Sequence, residues 1–428
     1  MIDVVTLVYS LICVLYVTKL KRGHAVGFFV LATLVWPDFL RVAIAGIQMS
    51  PSRFIALTLI LKYRNNNRKK GDKFSTLDKL VLAEYIWGVL ALIIAGADEA
   101  NIKENIGRGM NTALVYFAVR YTMRDKEDLK DMIHPLLLCG IIMGGAGIYE
   151  AVTAHSPYQK LVKYNKFVWM AKELEYRAGF LRAQASTSHP IYFGMAMFVL
   201  SGLLLSLRDI VKRTPNIQKK PLFWLAGLLG AIIGAFTTLS SGPILATVLL
   251  LIFNAVYFKT GIIKPIIRSI LALMLGIEIL SNRHFYHLVE YLTLDRATAY
   301  YRTRLMEVAV NQVHEYWLVG LGGIAPLHWG MLIDGRAHVD IVNNYVIVAV
   351  SGGLASLYMF VRIQLLCFKR AVSFYKTDED LKIFGFGMAS LLLSFMLGTL
   401  SVGVYSSILI FSYLVYGLIA SPIDVKEN

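Results

Sequence analysis

The chain has 428 residues, 57% of them hydrophobic and 17% charged, and Lys plus Arg exceed Asp plus Glu by 15. A mean hydropathy of +0.59 and repeated apolar runs of about 20 residues exclude a soluble globule and indicate a polytopic membrane protein. Lipid offers the backbone no hydrogen-bond partner and the sequence has no ten-residue alternating segments, so a barrel is excluded and the fold class is all-α.

In chain order, the first apolar run, 2–18, is followed by Lys19, Lys21 and Arg22 and lacks a basic start and a small-residue cleavage site, so it reads as a retained span. Further spans are expected at 24–47, 50–62, 76–96, 106–122, 133–153, 189–207, 222–239, 242–258, 263–281, 340–361, 383–401 and 403–421. That gives a bundle of twelve or thirteen helices, because Pro37, Asp38 and Arg41 interrupt the second run and the third is short. Short basic loops at 62–73 (KYRNNNRKKGDK), 120–130, 208–220, 259–268 and 362–382 are assigned to the cytoplasm, and they account for most of the positive charge without any nucleic acid. The three cysteines, Cys13, Cys139 and Cys367, lie far apart with no spacing suited to a disulfide framework or a zinc site. The whole chain, 1–428, reads as one membrane domain with two long outer loops, about 154–188 and 282–339.

Both loops carry chemistry-bearing residues. The first has six Lys/Arg against Glu173 and Glu175 and runs into RAQASTSHPIYFG at 182–194. The second collects arginines, histidines and carboxylates, and its polar and apolar residues recur at helical spacing over 285–294 and 297–316. Leu305, Val308, Val310 and Val313 are placed to pack, with Arg302, Arg304, Glu307 and His314 polar, before VGLGGIAP at 319–326 breaks the helix. Two cationic loops on one side suggest an anionic ligand. Asp38, Arg41, Glu84, Arg108, Glu150 and Glu278 fall within or near expected spans, where charges are costly and face partners or water. That set supports an alternative of another class, a transporter or flippase of an anionic or lipid-linked substrate.

Residues 300–323 (YYRTRLMEVAVNQVHEYWLVGLGG) followed by 338–357 (HVDIVNNYVIVAVSGGLASL) resemble the long periplasmic loop and next helix of the O-antigen ligase and polymerase superfamily, membrane glycosyltransferases of GT-C-like architecture. Arg302 matches the family's loop arginine, residues 318–322 its "PLxGxG" turn, and Asn343, Asn344, Tyr345 and Val346 most of its "HNxYL" element. Arg182, seven positions before His189-Pro190, matches the other signature, and TTLSSGPILA at 237–246 is similar to the "SRGxxLA" turn. Val342 stands where the family has histidine and Ser241 where it has arginine, variants closer in look to exopolysaccharide polymerases than to lipopolysaccharide ligases.

The resemblance implies a glycosyltransferase of the bacterial inner membrane, with no cofactor and no metal, whose site faces the periplasm. Its donor would be an undecaprenyl-diphosphate-linked glycan, polymerised into O-antigen or exopolysaccharide; a lipid A core acceptor would instead make the enzyme a ligase. Membrane lipid and a chain-length regulator are further expected partners. Breaking a glycosyl-diphosphate bond develops charge on the leaving group, which a planar guanidinium can grip bidentately. Arg182 and Arg302 are the first expected contacts and Arg177 and Arg304 the next, with Asn343, Asn344 and Tyr345 beside the substrate. The acceptor hydroxyl needs a base, for which His338 or Asp340 is placed; Asp340 has the competing role of helix N-cap, as do Asn343 and Asn344. His287 and Glu290 share a helical face, and His189 is expected to order the helix start at Pro190.

Overall fold

The computed structural model describes residues 2–64, 74–166, 172–212, 214, 218–256, 268–269, 272, 296–323, 326–337 and 339–423. Most of the expected span 263–281 and the loop segment 282–295, with Glu278, His287 and Glu290, lie outside those residues, as do His338 and most of the basic loops 62–73 and 259–268.

The described residues are mostly helical, in keeping with an all-α class. Helices α1 (Ile2–Lys19) and α2 (Arg22–Val35) lead to a hairpin of β1 (Val42–Ile44) and β2 (Ile47–Met49). There follow α3 (Pro51–Tyr63), α4 (Thr76–Ile94), α5 (Glu99–Asn111), α6 (Ala113–Thr122) and α7 (Lys126–Thr153). A 3-10 turn, Pro157–Tyr164, and a hairpin of β3 (Tyr176–Arg177) and β4 (Phe180–Leu181) precede α8 (Pro190–Ser206), α9 (Arg208–Lys212), α10 (Pro221–Phe236) and α11 (Ser241–Ala255). The C-terminal part holds α12 (Arg296–Asn311), α13 (Val313–Tyr316), α14 (His328–Leu332), α15 (Asn344–Thr377), α16 (Lys382–Gly398) and α17 (Ser406–Ala420). Among the described residues two helices, α7 and α15, are long and apolar enough to cross a membrane; α2, α8, α10, α11, α16 and α17 are shorter apolar helices.

Local sequence sets these boundaries. Capping boxes start α4 (Ser75 with Asp78) and α7 (Asp125 with Asp128), and proline sits in the first turn of α3, α8 and α10, where its missing N–H costs nothing. The expected span 24–47 stops at Val35, since Pro37 cannot continue the helix, and the chain turns back through Ala45 (φ 51°) and Gly46 (φ 81°). The expected span 106–122 instead begins at Glu99 and breaks at Thr112.

The main core is built where α7 packs on α2 and α10. Between α7 and α10 the contact is backbone on backbone: a Cβ added at Gly140 would come within 2.2 Å of the Gly227 carbonyl oxygen, and one at Gly144 within 2.3 Å of that of Gly230. A second, smaller core joins α12, α14 and the first half of α15 through Tyr301, Leu305, Val308, Trp329, Val346 and Val350. Leu305 and Val308 pack as their spacing predicts, whereas Val310 and Val313 are exposed.

Helix α15 is broken at Gly352 and Gly353, whose φ/ψ are non-helical. Its interrupted backbone is taken up from three directions: Leu321 N–H donates to Val350 O (2.8 Å), Leu354 N–H donates to Trp317 O (2.9 Å), and Trp87 Nε1–H donates to Gly352 O (2.7 Å). Gly353 holds φ +76°, and any Cβ there would lie 2.2 Å from Leu318 O.

Candidate functional site

Helix ends and the β1–β2 hairpin converge on a cleft of about 990 Å³. Arg41 and Gln48 come from the hairpin and its entry, Arg53 from the first turn of α3, Lys103, Glu104 and Arg108 from α5, Ser188 and Tyr192 from the start of α8, and Tyr405 and Ser406 from the start of α17. Asp340, just ahead of α15, completes the wall. A smaller cavity of about 300 Å³ shares Glu104, Arg108, Asp340 and Tyr405 with the first and adds Asn101, Asn105, Gly323 and Ser351. Arg108 also borders a third hollow, with Glu84 and Asn344.

The cationic side of the cleft is fixed by hydrogen bonds. Arg53 is buried; its Nε–H donates to Asn111 Oδ1 (2.9 Å) and Nη1 donates to Gln48 O. Gly107 makes room for that guanidinium, because a Cβ there would stand 2.9 Å from Arg53 Nη1. Arg41 donates to Asp38 O (2.9 Å) and to Gln48 Oε1 (3.2 Å), so both arginines are gathered on Gln48. Asp38 in turn accepts from Ser406 (2.7 Å) and Ser188 (3.4 Å), tying the ends of α2 and the start of α17 to the loop before α8. Four cations, Arg41, Arg53, Lys103 and Arg108, thus line the cleft with four carboxylates, Asp98, Glu99, Glu104 and Asp340, and Lys103 pairs with exposed Glu99. The helix N-termini of α3 and α17 add partial positive charge to the same wall.

Asp340 lines the same cleft. The helix cap that sequence offered it falls to Asn343, whose Oδ1 accepts from Tyr345 N–H (2.9 Å) and Val346 N–H (3.2 Å). The backbone of Asp340 is clamped by Tyr301, whose hydroxyl donates to Asp340 O (2.9 Å) and accepts from Asp340 N–H (2.8 Å). Its carboxylate is left open to the cleft. Desolvation by the surrounding protein pushes that carboxyl above its usual range, and the charges of His189 and Arg302 partly offset the push.

The other sequence-nominated residues are distributed as follows. Arg302 is buried on α12 within electrostatic reach of Asp340. Arg182 is spent on the protein itself: Nε–H donates to Thr238 O (3.2 Å), Nη2 to Ser240 Oγ (2.7 Å), and Nη1 pairs with Glu175. Arg177 donates to Leu239 O (2.8 Å), so the "TTLSS" turn and the 154–188 loop are stapled together by the two arginines. Arg304 pairs with Glu307 on its own helix. Asn344 Oδ1 accepts from Val404 N–H (3.2 Å), and Tyr345 donates inward to Met396 O (3.0 Å). None of these last six lines the 990 Å³ cleft.

His189 orders the start of α8 as expected, its Nδ1 accepting from Ile191 N–H (3.1 Å). Nε2 then faces Glu175 at 3.2 Å. Burial would raise the Glu175 carboxyl, but His189, Arg182 and Arg177 together hold it below its usual range. Two buried charges brace the same loop: Glu150 accepts from Gln184 N–H (2.7 Å) and Ala185 N–H (2.9 Å), and Lys172 donates to Thr187 O (3.2 Å) and Ala185 O, with its amine lowered by burial to about 8.

Sequence reasoning missed Arg53, Lys103, Gln48 and Tyr192, and set Arg41 and Arg108 aside as span charges. The signal was in 99–111 (EANIKENIGRGMN), where Asn101, Asn105 and Arg108 recur at helical spacing as a polar face. Among the described residues no group of three or more His, Cys, Asp or Glu side chains is placed to hold a metal ion. Neither a scan against protein-family models nor a search of curated proteins finds a match.

Proposed function

We propose that the chain is a polytopic, metal-independent glycosyltransferase of a bacterial inner membrane, which polymerises undecaprenyl-diphosphate-linked repeat units at a periplasmic face. The observation that carries this reading is the juxtaposition, in one large cleft, of Arg41, Arg53 and Arg108 with the carboxylate of Asp340. A diphosphate leaving group gains charge as the glycosidic bond breaks, and guanidiniums already anchored by Gln48 and Asn111 stabilise that charge without reorganising. Asp340, with its carboxyl raised above the usual range, is suited to accept the acceptor's hydroxyl proton as the sugar is transferred. Burial raises the Asp340 carboxyl and His189 and then Arg302 partly offset it, and the diphosphate role given to Arg182 passes to the arginines of the cleft.

The bilayer part of the reading is supported by the long apolar α7 and α15 and by the glycine contacts between α7 and α10. It is supported too by the short helices around the cleft, since irregular backbone at membrane depth is tolerated where it lines a wet cavity.

A ligase shares the donor chemistry and differs in the acceptor. The test is to supply the reconstituted protein, with chelator present, with its lipid-linked repeat unit alone and again with a lipid A core acceptor, resolving products by length. A ladder from the repeat unit alone supports the polymerase, and a single shift that requires lipid A core makes it a ligase. Movement of the lipid-linked substrate across vesicles without turnover would overturn both in favour of a flippase.

A further inference from the structure

The segment 317–321, expected to lie in a solvated outer loop, has the features of a membrane-seated turn. Leu354 N–H donates to Trp317 O and Leu321 N–H donates to Val350 O, so the segment is fastened to the break in α15, not to its beginning. Along α15 from Leu354, the next charged residues are Arg362 and Lys369, both exposed. At 1.5 Å per residue these stand about 12 Å and about 22 Å from Leu354. The hydrocarbon layer is about 30 Å thick. Whichever residue marks the far boundary, the level of Leu354, and with it Trp317 and Leu318, falls inside the hydrocarbon.

The surface at that level is apolar. Trp317 is 54% exposed and Leu318 55%, beside exposed Leu354. Further along α15, Tyr358 continues the same exposed face at helical spacing, up to exposed Arg362. In the other direction the exposed residues of α13 and α12 are mixed, Val313 and Val310 standing with Asn311 and His314. Part of the turn's backbone is paired within the protein: Trp317 N–H donates to Val313 O (2.9 Å), Gly320 N–H donates to Tyr316 O (3.1 Å), and two more bonds run to α15.

We infer that residues 317–321 form a re-entrant turn whose Trp317 and Leu318 lie against lipid acyl chains, as a continuation of the lipid-facing strip of α15. The inference rests on the bilayer part of the reading above and is independent of glycosyl transfer. It places an anchor in the membrane two residues before Gly323, which walls the smaller cavity.

The test uses cysteines introduced one at a time in the full-length protein in liposomes, nitroxide-labelled and exposed to oxygen or to a neutral water-soluble nickel chelate; the native Cys13, Cys139 and Cys367 are buried. Leu318→Cys is the probe, Val310→Cys a second on α12, Tyr358→Cys the lipid reference and Ala337→Cys the aqueous one. Oxygen collisions should exceed nickel collisions several-fold at 318 and 358, with the order reversed at 337. Nickel dominance at 318 and 310 with oxygen dominance at 358 would overturn the re-entrant turn while leaving α15 in the bilayer. Nickel dominance at 358 would overturn the span and the turn together.

Discussion

At the scale of single residues, the account turns on what each arginine touches. Arg182 and Arg302 stand out in sequence because of the motifs around them, yet Arg182 is committed to Glu175, Thr238 and Ser240 and acts as a staple. Arg182→Gln should therefore lower thermal stability, on the order of 2 kcal/mol from the broken, partly buried pair, as read by melting in detergent. Arg108→Gln should leave melting nearly unchanged and reduce turnover about 100-fold, the usual effect of losing one preorganised charge at a leaving group. Asp340 was legible because it stands just before a span; that Asn343 takes the cap and frees it was not, since both residue types cap helices equally well. Asp340 must be ionised to act as a base, so the acid limb of the pH–rate profile should lie above the ordinary carboxylate value of about 3.9. Arg302 lowers the Asp340 carboxyl, so Arg302→Met should move that limb to higher pH. A limb that stays in place in the variant would remove Arg302 from this role.

At the scale of elements, hydropathy located the long apolar helices α7 and α15, but α15 runs on to Thr377 through most of the stretch 362–382 that was expected to be a loop. It failed where helices stop short around the cleft. The end of α2, the start of α3 and the break between α5 and α6 depend on Pro37, on the Ala45-Gly46 turn and on the polar face of α5, all of which an averaging window smooths into neighbouring spans. Crossings set by glycine can be tested directly. Gly144→Val places its side chain on the Gly230 backbone and should cost on the order of 3 kcal/mol or more, seen as poor yield and early melting. Gly353→Ala combines a left-handed φ with a collision at Leu318 O; it should release the 317–321 turn from α15 and raise hydrogen exchange there, leaving α7 and α10 protected.

At the scale of the whole molecule, a bundle held by α7, α2 and α10 supports a second layer, α12 to α14 on α15, and the cleft opens where α5, α17 and the β1–β2 hairpin meet the start of α15. The sequence implied a chemistry of anionic, lipid-linked substrate but distributed it over two loops. The folded chain gathers charged residues of both signs on short helices and one hairpin, because charges spread over distant segments become neighbours only through tertiary packing. The central claim is that this cleft performs the transfer. Its most direct test is release of undecaprenyl diphosphate from the lipid-linked repeat unit by reconstituted wild-type protein and by Asp340→Asn, at equal protein and with chelator present. The account predicts steady release by the wild type and a loss of about 100-fold or more in the variant, with donor binding retained. Equal release by the two proteins would contradict it.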